Sequence, residues 1–182
     1  MSCVCLLLLL VPVISAQTYH WGPCPTPKVQ PNFNLQLYLG KWYEIEKLPA
    51  PFARGKCIEI NYSIRRDGTI QLMTSQIYKD KKRYAEGTGV VPDPREPAKL
   101  GVSFSYFTPY VPYWVLTTDY TSLSVVYSCT DVLRIFHFKY SWILARSPYL
   151  PPETVHYAEQ LLIDEGIDIY RMTHTDQNCK DK

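Results

Sequence analysis

Beyond residue 40 the chain runs in short stretches where apolar and polar side chains alternate, the period of a strand with one buried face. Such stretches fall at 41–48, 57–64, 69–78, 83–91, 99–107, 113–119, 124–130 and 136–147. Turn-forming runs separate them: "RRDGT" at 65–69, "KDKK" at 79–82, "PDPREP" at 92–97 and "TPYVP" at 108–112. Asp67-Gly68, set between two strand-like runs, is the strongest short signal for a hairpin. Eight strands with short successive connections predict an antiparallel up-and-down meander, and closing it into a barrel removes the exposed edges. The period changes in "LPPETVHYAEQLLIDEG", residues 150–166. There Val155, Ala158, Leu161 and Leu162 recur at helical spacing between opening prolines and a closing Gly166. The predicted fold is therefore all-β, an eight-stranded antiparallel barrel with one C-terminal α-helix packed outside. "IDIYRM", at 167–172, alternates again and predicts a short added strand.

Ahead of the strands, "MSCVCLLLLLVPVISAQ" holds an apolar run over 4–14, followed by the small residues Ser15 and Ala16. The run is short of the about 20 residues that span a bilayer, so residues 1–16 are expected to be a secretory signal peptide, leaving one domain over 17–182. The proline-rich lead "GPCPTPKVQP", at 22–31, is expected to run extended. Cleavage after Ala16 also removes Cys3 and Cys5, and the remaining Cys24, Cys57, Cys129 and Cys179 predict two disulfides with three possible connectivities. No cysteine or histidine grouping has zinc spacing, so no metal site is predicted.

A formal net charge of +2 gives no footprint for nucleic acid. Aromatic residues make up 14% of the chain, including 15 tyrosines, and favour an aromatic-lined interior. An eight-stranded barrel has room for side chains and one small ligand. It must be sealed at one end, and Trp42 beside Gly40 at the start of the first strand can plug it if a cation covers the indole. Arg146, at the end of the last strand, would arrive there.

Gly40, Trp42 and Tyr43, then Thr118, Asp119 and Tyr120, then Arg146 resemble the three signature regions of the lipocalins, in the same order and at the same strand ends. The resemblance runs along the whole mature chain, through "GPCPTPKVQPNF", "EPAKL", "VYSCT", "WILARSPYLPPETV" and "TDQNC". It implies barrel closure by Gly40, Trp42, Thr118, Asp119, Tyr120 and Arg146, and disulfides Cys24–Cys129 and Cys57–Cys179. It further implies a ligand pocket lined by Tyr62, Thr74, Gln76, Phe104, Tyr113 and Trp142. The chain departs from the family member it resembles throughout at several points. Asp131 stands where that protein has a cysteine able to link to another chain, so no covalent partner is expected there. "PDPR", at 92–95, replaces one glycosylation sequon and leaves Asn61, in "NYS", as the acceptor. Gln76 offers a neutral amide where the resemblance implies a glutamate.

The function implied is that of a secreted, extracellular carrier for a small hydrophobic or amphipathic ligand such as a fatty acid, steroid or isoprenoid, with no cofactor. Two other classes compete. One is an interaction module with a vestigial pocket. The other is an enzyme, since some lipocalins catalyse with a cavity thiolate, but two disulfides leave no mature thiol here. His20, His137, His156 and His174 lie in the lead, a strand, the helix and the tail without a nucleophile in a triad signature. His137, on an apolar strand, reads as a core residue. The aromatic stretches "YFTPYVPY", at 106–113, and "LRIFHF", at 133–138, read as pocket rim, with contact to a lipoprotein or membrane surface as the alternative. "KDKKR", at 79–83, reads as a solvated hairpin tip, with attraction of acidic ligands or phosphate head groups as the alternative.

Overall fold

The computed structural model describes residues 19–105 and 108–179, so the expected signal peptide at 1–16 lies outside the described residues. Strands β2 (Gly40–Lys47), β3 (Lys56–Ile64), β4 (Ile70–Tyr78), β5 (Lys81–Val90), β6 (Lys99–Ser103), β7 (Val111–Thr118), β8 (Leu123–Val132) and β9 (Phe136–Ala145) pair in sequence order, all antiparallel, and β9 pairs back on β2 to close the barrel. Two short strands extend the sheet: β1 (Tyr19–Trp21) lies along the first residues of β9, and β10 (Thr173–His174) along the last residues of β2.

Alternation sorts the side chains into two cores. Trp42, Tyr62, Leu72, Leu100, Tyr113, Val126 and Trp142 fill the barrel interior. The opposite faces of β2, β7, β8 and β9 pack Ile45, Leu116, Val125, Tyr127 and Ile143 against α2 (Pro152–Asp164), which buries Ala158 and Leu162. The prolines at its start fix a helical φ where no hydrogen-bonded N–H is needed. Gly166, at φ +76°, ends it by turning Ile167 back to donate to the Leu162 carbonyl.

The β3–β4 hairpin turns where Asp67-Gly68 predicts it: the Arg65 and Thr69 backbones bond, the Asp67 carboxylate accepts from the Thr69 amide at 2.9 Å, and Gly68 takes φ +84°. Elsewhere the structure departs from the pattern. The strand expected over 99–107 ends at Ser103, whose hydroxyl bonds the carbonyls of Ser105 at 2.7 Å and Thr108 at 3.0 Å in place of a continued ladder. Residues 167–172 form irregular chain with a turn at 170–171, not a strand: Ile167, Ile169 and Met172 pack on the outer core, and the strand follows at β10. The lead contributes β1 and, after its prolines, a single helical turn α1 (Leu35–Tyr38), which the Asn34 side chain caps through the amides of Gln36 and Leu37.

Candidate functional site

The end of the barrel where β2 begins is closed. Trp42 is fully buried there, with the Arg146 guanidinium carbon 3.9 Å from the indole ring centroid. Arg146 is fixed by four backbone carbonyls from three segments: Nε donates to Tyr120 at 2.9 Å, Nη1 to Lys41 at 2.8 Å, and Nη2 to Leu37 at 3.0 Å and to Tyr38 at 3.3 Å. The α1 turn adds Tyr38, whose carbonyl accepts from Trp42 Nε1 at 2.9 Å and whose hydroxyl meets Ser124 at 2.9 Å. Thr118 and Asp119 shape the turn that delivers Tyr120. The Thr118 hydroxyl donates to the Leu123 carbonyl and accepts from the Tyr120 amide. Burial opposes ionisation of Asp119, but the Ser122 hydroxyl and the amides of Leu123, Ser122 and Thr121 outweigh it and hold the carboxyl below its usual range. Gly40 sits at φ +94°, and a Cβ there would lie 3.4 Å from Arg146 Nη1, so the residue supplies both a backbone conformation and a close approach.

Above this plug the interior is aromatic. Tyr62 and Tyr113 face each other with hydroxyls 2.5 Å apart, and Trp142 lies over Tyr113 at 5.8 Å between centroids, followed by Tyr140 at 6.1 Å. Burial raises the Tyr62 and Tyr113 phenols well above their usual pKa, so both stay neutral. The remaining candidates stand nearer the open end. Thr74 shares the inward face of β4 with Ile70 and Leu72 and bonds the Ala85 carbonyl at 3.1 Å. Phe104, 51% exposed, lies over Gly87, where a Cβ would come within 2.9 Å of the ring. Gln76 does not present a free amide: its oxygen accepts from the Gly55 amide at 2.8 Å and its nitrogen donates to the Phe52 carbonyl at 3.0 Å, tying the β2–β3 loop to the wall.

The chain matches a family model described as a lipocalin-like domain over residues 33–177. The chain belongs to the lipocalin family. It is 45% identical to apolipoprotein D of Bos taurus, with 94% of this chain and 96% of that protein covered, and 48% identical to apolipoprotein D of Oryctolagus cuniculus, with 93% and 91% covered. Among solved structures it resembles insecticyanin from the tobacco hornworm Manduca sexta at 27% identity and a TM-score of 0.75, covering 88% of this chain and 89% of that one. It likewise resembles lobster apocrustacyanin A1 at 26% identity and a TM-score of 0.70, covering 80% and 81%.

Inside this lipocalin barrel lies a group that the alternation pattern did not single out. Glu44 stands opposite Leu144 and Lys47 opposite Trp142, both inward-facing partners on β9, and the bulge between Glu44 and Glu46 brings these two residues to one face. The Lys47 ammonium donates to Glu44 Oε1, and the Thr175 hydroxyl donates to the same oxygen at 2.7 Å. Burial pushes the Glu44 carboxyl up, against the pull of Lys47 and Thr175. The sequence carried one signal: Glu44 shares the parity of Trp42. Thr175 arrives because the C-terminal tail wedges between β2 and β3. Gln177 Nε2 donates to the carbonyls of Glu44 and Ile58, both at 2.8 Å, bridging the two strands.

Cys57 joins Cys179 beside this wedge with Cα atoms 6.1 Å apart, and Cys24 joins Cys129 with Cα atoms 6.0 Å apart. Asp131 accepts from the Cys24 amide at 2.7 Å and so pins the lead. Asn61 is exposed on β3. His137 faces outward beneath β1, where its Nδ1 meets the Gly22 carbonyl at 2.9 Å and its ring stacks on His20, so it does not line the cavity. Among the described residues no cluster of histidine, cysteine, aspartate and glutamate has the makings of a metal site.

Proposed function

We propose that this lipocalin is a secreted carrier that takes one small apolar or amphipathic molecule into its barrel. The observation that carries the reading is the barrel's asymmetry: Trp42 and Arg146 close one end, and Tyr62, Tyr113, Trp142 and Tyr140 line the space above it. Tyr62, Thr74, Gln76, Phe104, Tyr113 and Trp142 are the proposed ligand contacts, aromatic walls with a few neutral polar groups. Binding is driven by desolvation, at roughly 25 cal/mol per Å² of apolar surface buried. A wall held in place by its own hydrogen bonds lowers the ordering cost. A relative 28% identical over 179 residues is named a bilin-binding protein, of Pieris brassicae, which supports a small-molecule cargo.

Export follows from residues 1–16 as signal peptide, and the two disulfides suit an oxidising compartment. Asn61 is the proposed glycan acceptor. The exposed aromatic and aliphatic tips at the open end let the mouth meet a lipoprotein or membrane surface, so that cargo passes without crossing water. The barrel contributes shelter and shape, not chemistry. Titrating the exported protein with a long-chain fatty acid and with a steroid, followed by tryptophan fluorescence with Trp142 as reporter, should give saturable quenching without turnover. A product marks an enzyme, and no response to either probe leaves an interaction module.

A further inference from the structure

The up-and-down order sends the β2–β3, β4–β5, β6–β7 and β8–β9 connections to the end opposite Trp42. Two kinds of side chain divide this rim. On one side Leu133, 84% exposed, and Ile135 cap the β8–β9 hairpin. Trp21, 79% exposed, stands beside them, because β1 pairs it with Phe136 and the Gly22 amide donates to Ile135. On the other side the β4–β5 hairpin exposes Lys79, Lys81, Lys82 and Arg83, and next to it stand Arg54, in the β2–β3 connection, and Lys56, the first residue of β3.

With Arg134 these make seven exposed cations at the rim; within three residues of the four connections they and Lys47 face only Glu46, Asp80 and Asp131, a surplus of five on a chain whose net charge is only +2. The remaining chain is therefore net negative, and the positive charge is concentrated around the mouth. Among the described residues none of the seven cations is within 4.0 Å of a carboxylate. Lys79 and Arg83 lie over Tyr78, and Lys82 over Tyr84. The turn itself does not select lysine, since Lys79 and Asp80 both take positive φ, 51° and 56°, in a two-residue hairpin that favours Asn-Gly.

We propose that the open end docks on an anionic lipid bilayer. The proposal rests on the carrier reading and gives the surface contact a chemical identity. Trp21, Leu133 and Ile135 enter the interfacial layer on one side of the mouth, while the β4–β5 cations face lipid phosphates and carboxylates on the other. Both sets sit on one end of a rigid barrel, so a flat surface reaches them together and the mouth is held against the layer its ligand leaves or enters. Basic clusters beside an apolar anchor recognise anionic leaflets in this way, and the attraction decays within a Debye length.

Co-sedimentation of the full exported protein with phosphatidylcholine vesicles and with vesicles that also contain phosphatidylserine tests this. Binding should be at least about tenfold tighter to the anionic vesicles and should fall toward the neutral level at high salt. Lys79→Gln/Lys81→Gln/Lys82→Gln/Arg83→Gln should remove that preference, and Leu133→Ser/Ile135→Ser should weaken binding to both vesicle types. Fatty-acid affinity, read by tryptophan quenching, should be unchanged in the quadruple variant. Loss of quenching in the wild-type protein would sink the carrier reading, whereas equal binding to the two vesicle types, or an unaltered preference in the quadruple variant, overturns the docking proposal alone. Competition by inorganic phosphate as effective as that by anionic vesicles also overturns it, assigning the cations to a soluble anion.

Discussion

Glu44 and Lys47 stand three positions apart on one strand and yet both point into the barrel, because the bulge at Ile45 inserts one extra residue between them. A strict two-residue period would have sent one of them outward. The pair is buried, and Thr175 from the far end of the chain gives Glu44 its second hydrogen bond. A buried ion pair of this kind adds little net stability, but leaving one partner alone is costly.

Glu44→Gln should therefore destabilise the fold by about 3–5 kcal/mol, because it strands the Lys47 ammonium. Glu44→Leu combined with Lys47→Met should recover most of that loss. Urea unfolding of the single and double variants measures both, and a double variant as unstable as the single would show that the pair is not coupled.

The plug makes a similar demand on Trp42 and Arg146. Trp42→Ala should cost about 3–5 kcal/mol as a large core truncation. Arg146→Ala should cost less, although it takes a donor from four carbonyls at the closed end. A double-mutant cycle should give a coupling above about 0.5 kcal/mol, and strict additivity would mean that the cation over the indole contributes nothing.

At the mouth, Gln76 holds the β2–β3 loop with both ends of its amide. Gln76→Glu keeps an acceptor for the Gly55 amide but sets a carboxylate oxygen against the Phe52 carbonyl. Amide exchange at Ala53 and Gly55 should quicken, and the ratio of fatty-acid to steroid affinity should fall, since a freed carboxylate near the cavity repels an acidic head group. An unchanged ratio with faster exchange would confine position 76 to holding the loop.

His20 predicts a pH dependence. Burial, then Lys139 and the stacked His137, with Arg171 beyond, lower its pKa below 6.5 against the opposing pull of Asp168. The unfolded chain then binds the proton more tightly, so the stabilisation is present above 6.5 and is lost as pH falls through the lowered value. Hydrogen exchange of the β1 amides should rise on acidification across that window, and His20→Gln should flatten the response. An identical pH profile in the variant would place the sensitive group elsewhere.

Local chemistry wrote much of this protein into its sequence. Period-two alternation located the barrel strands, Asp67-Gly68 marked the β3–β4 turn, and Val155, Ala158, Leu161 and Leu162 marked the buried face of α2. These features depend only on neighbours along the chain. Ring closure then placed Trp42 and Arg146 at one seam, because the first and last barrel strands must meet. Other features belong to the tertiary structure alone. Four cysteines permit three pairings by counting, and only the folded path, or likeness to a known fold, chooses among them. Gln177 finds the carbonyls of Glu44 and Ile58 across separations of 133 and 119 residues, for which no local pattern codes. The bulge that turns Lys47 inward is a compromise between strand pairing on two sides of β2, and β6 stops at Ser103 because a hydroxyl competes with the ladder. Periodicity tells a residue which way to face, but its partner is decided by the closure of the whole barrel.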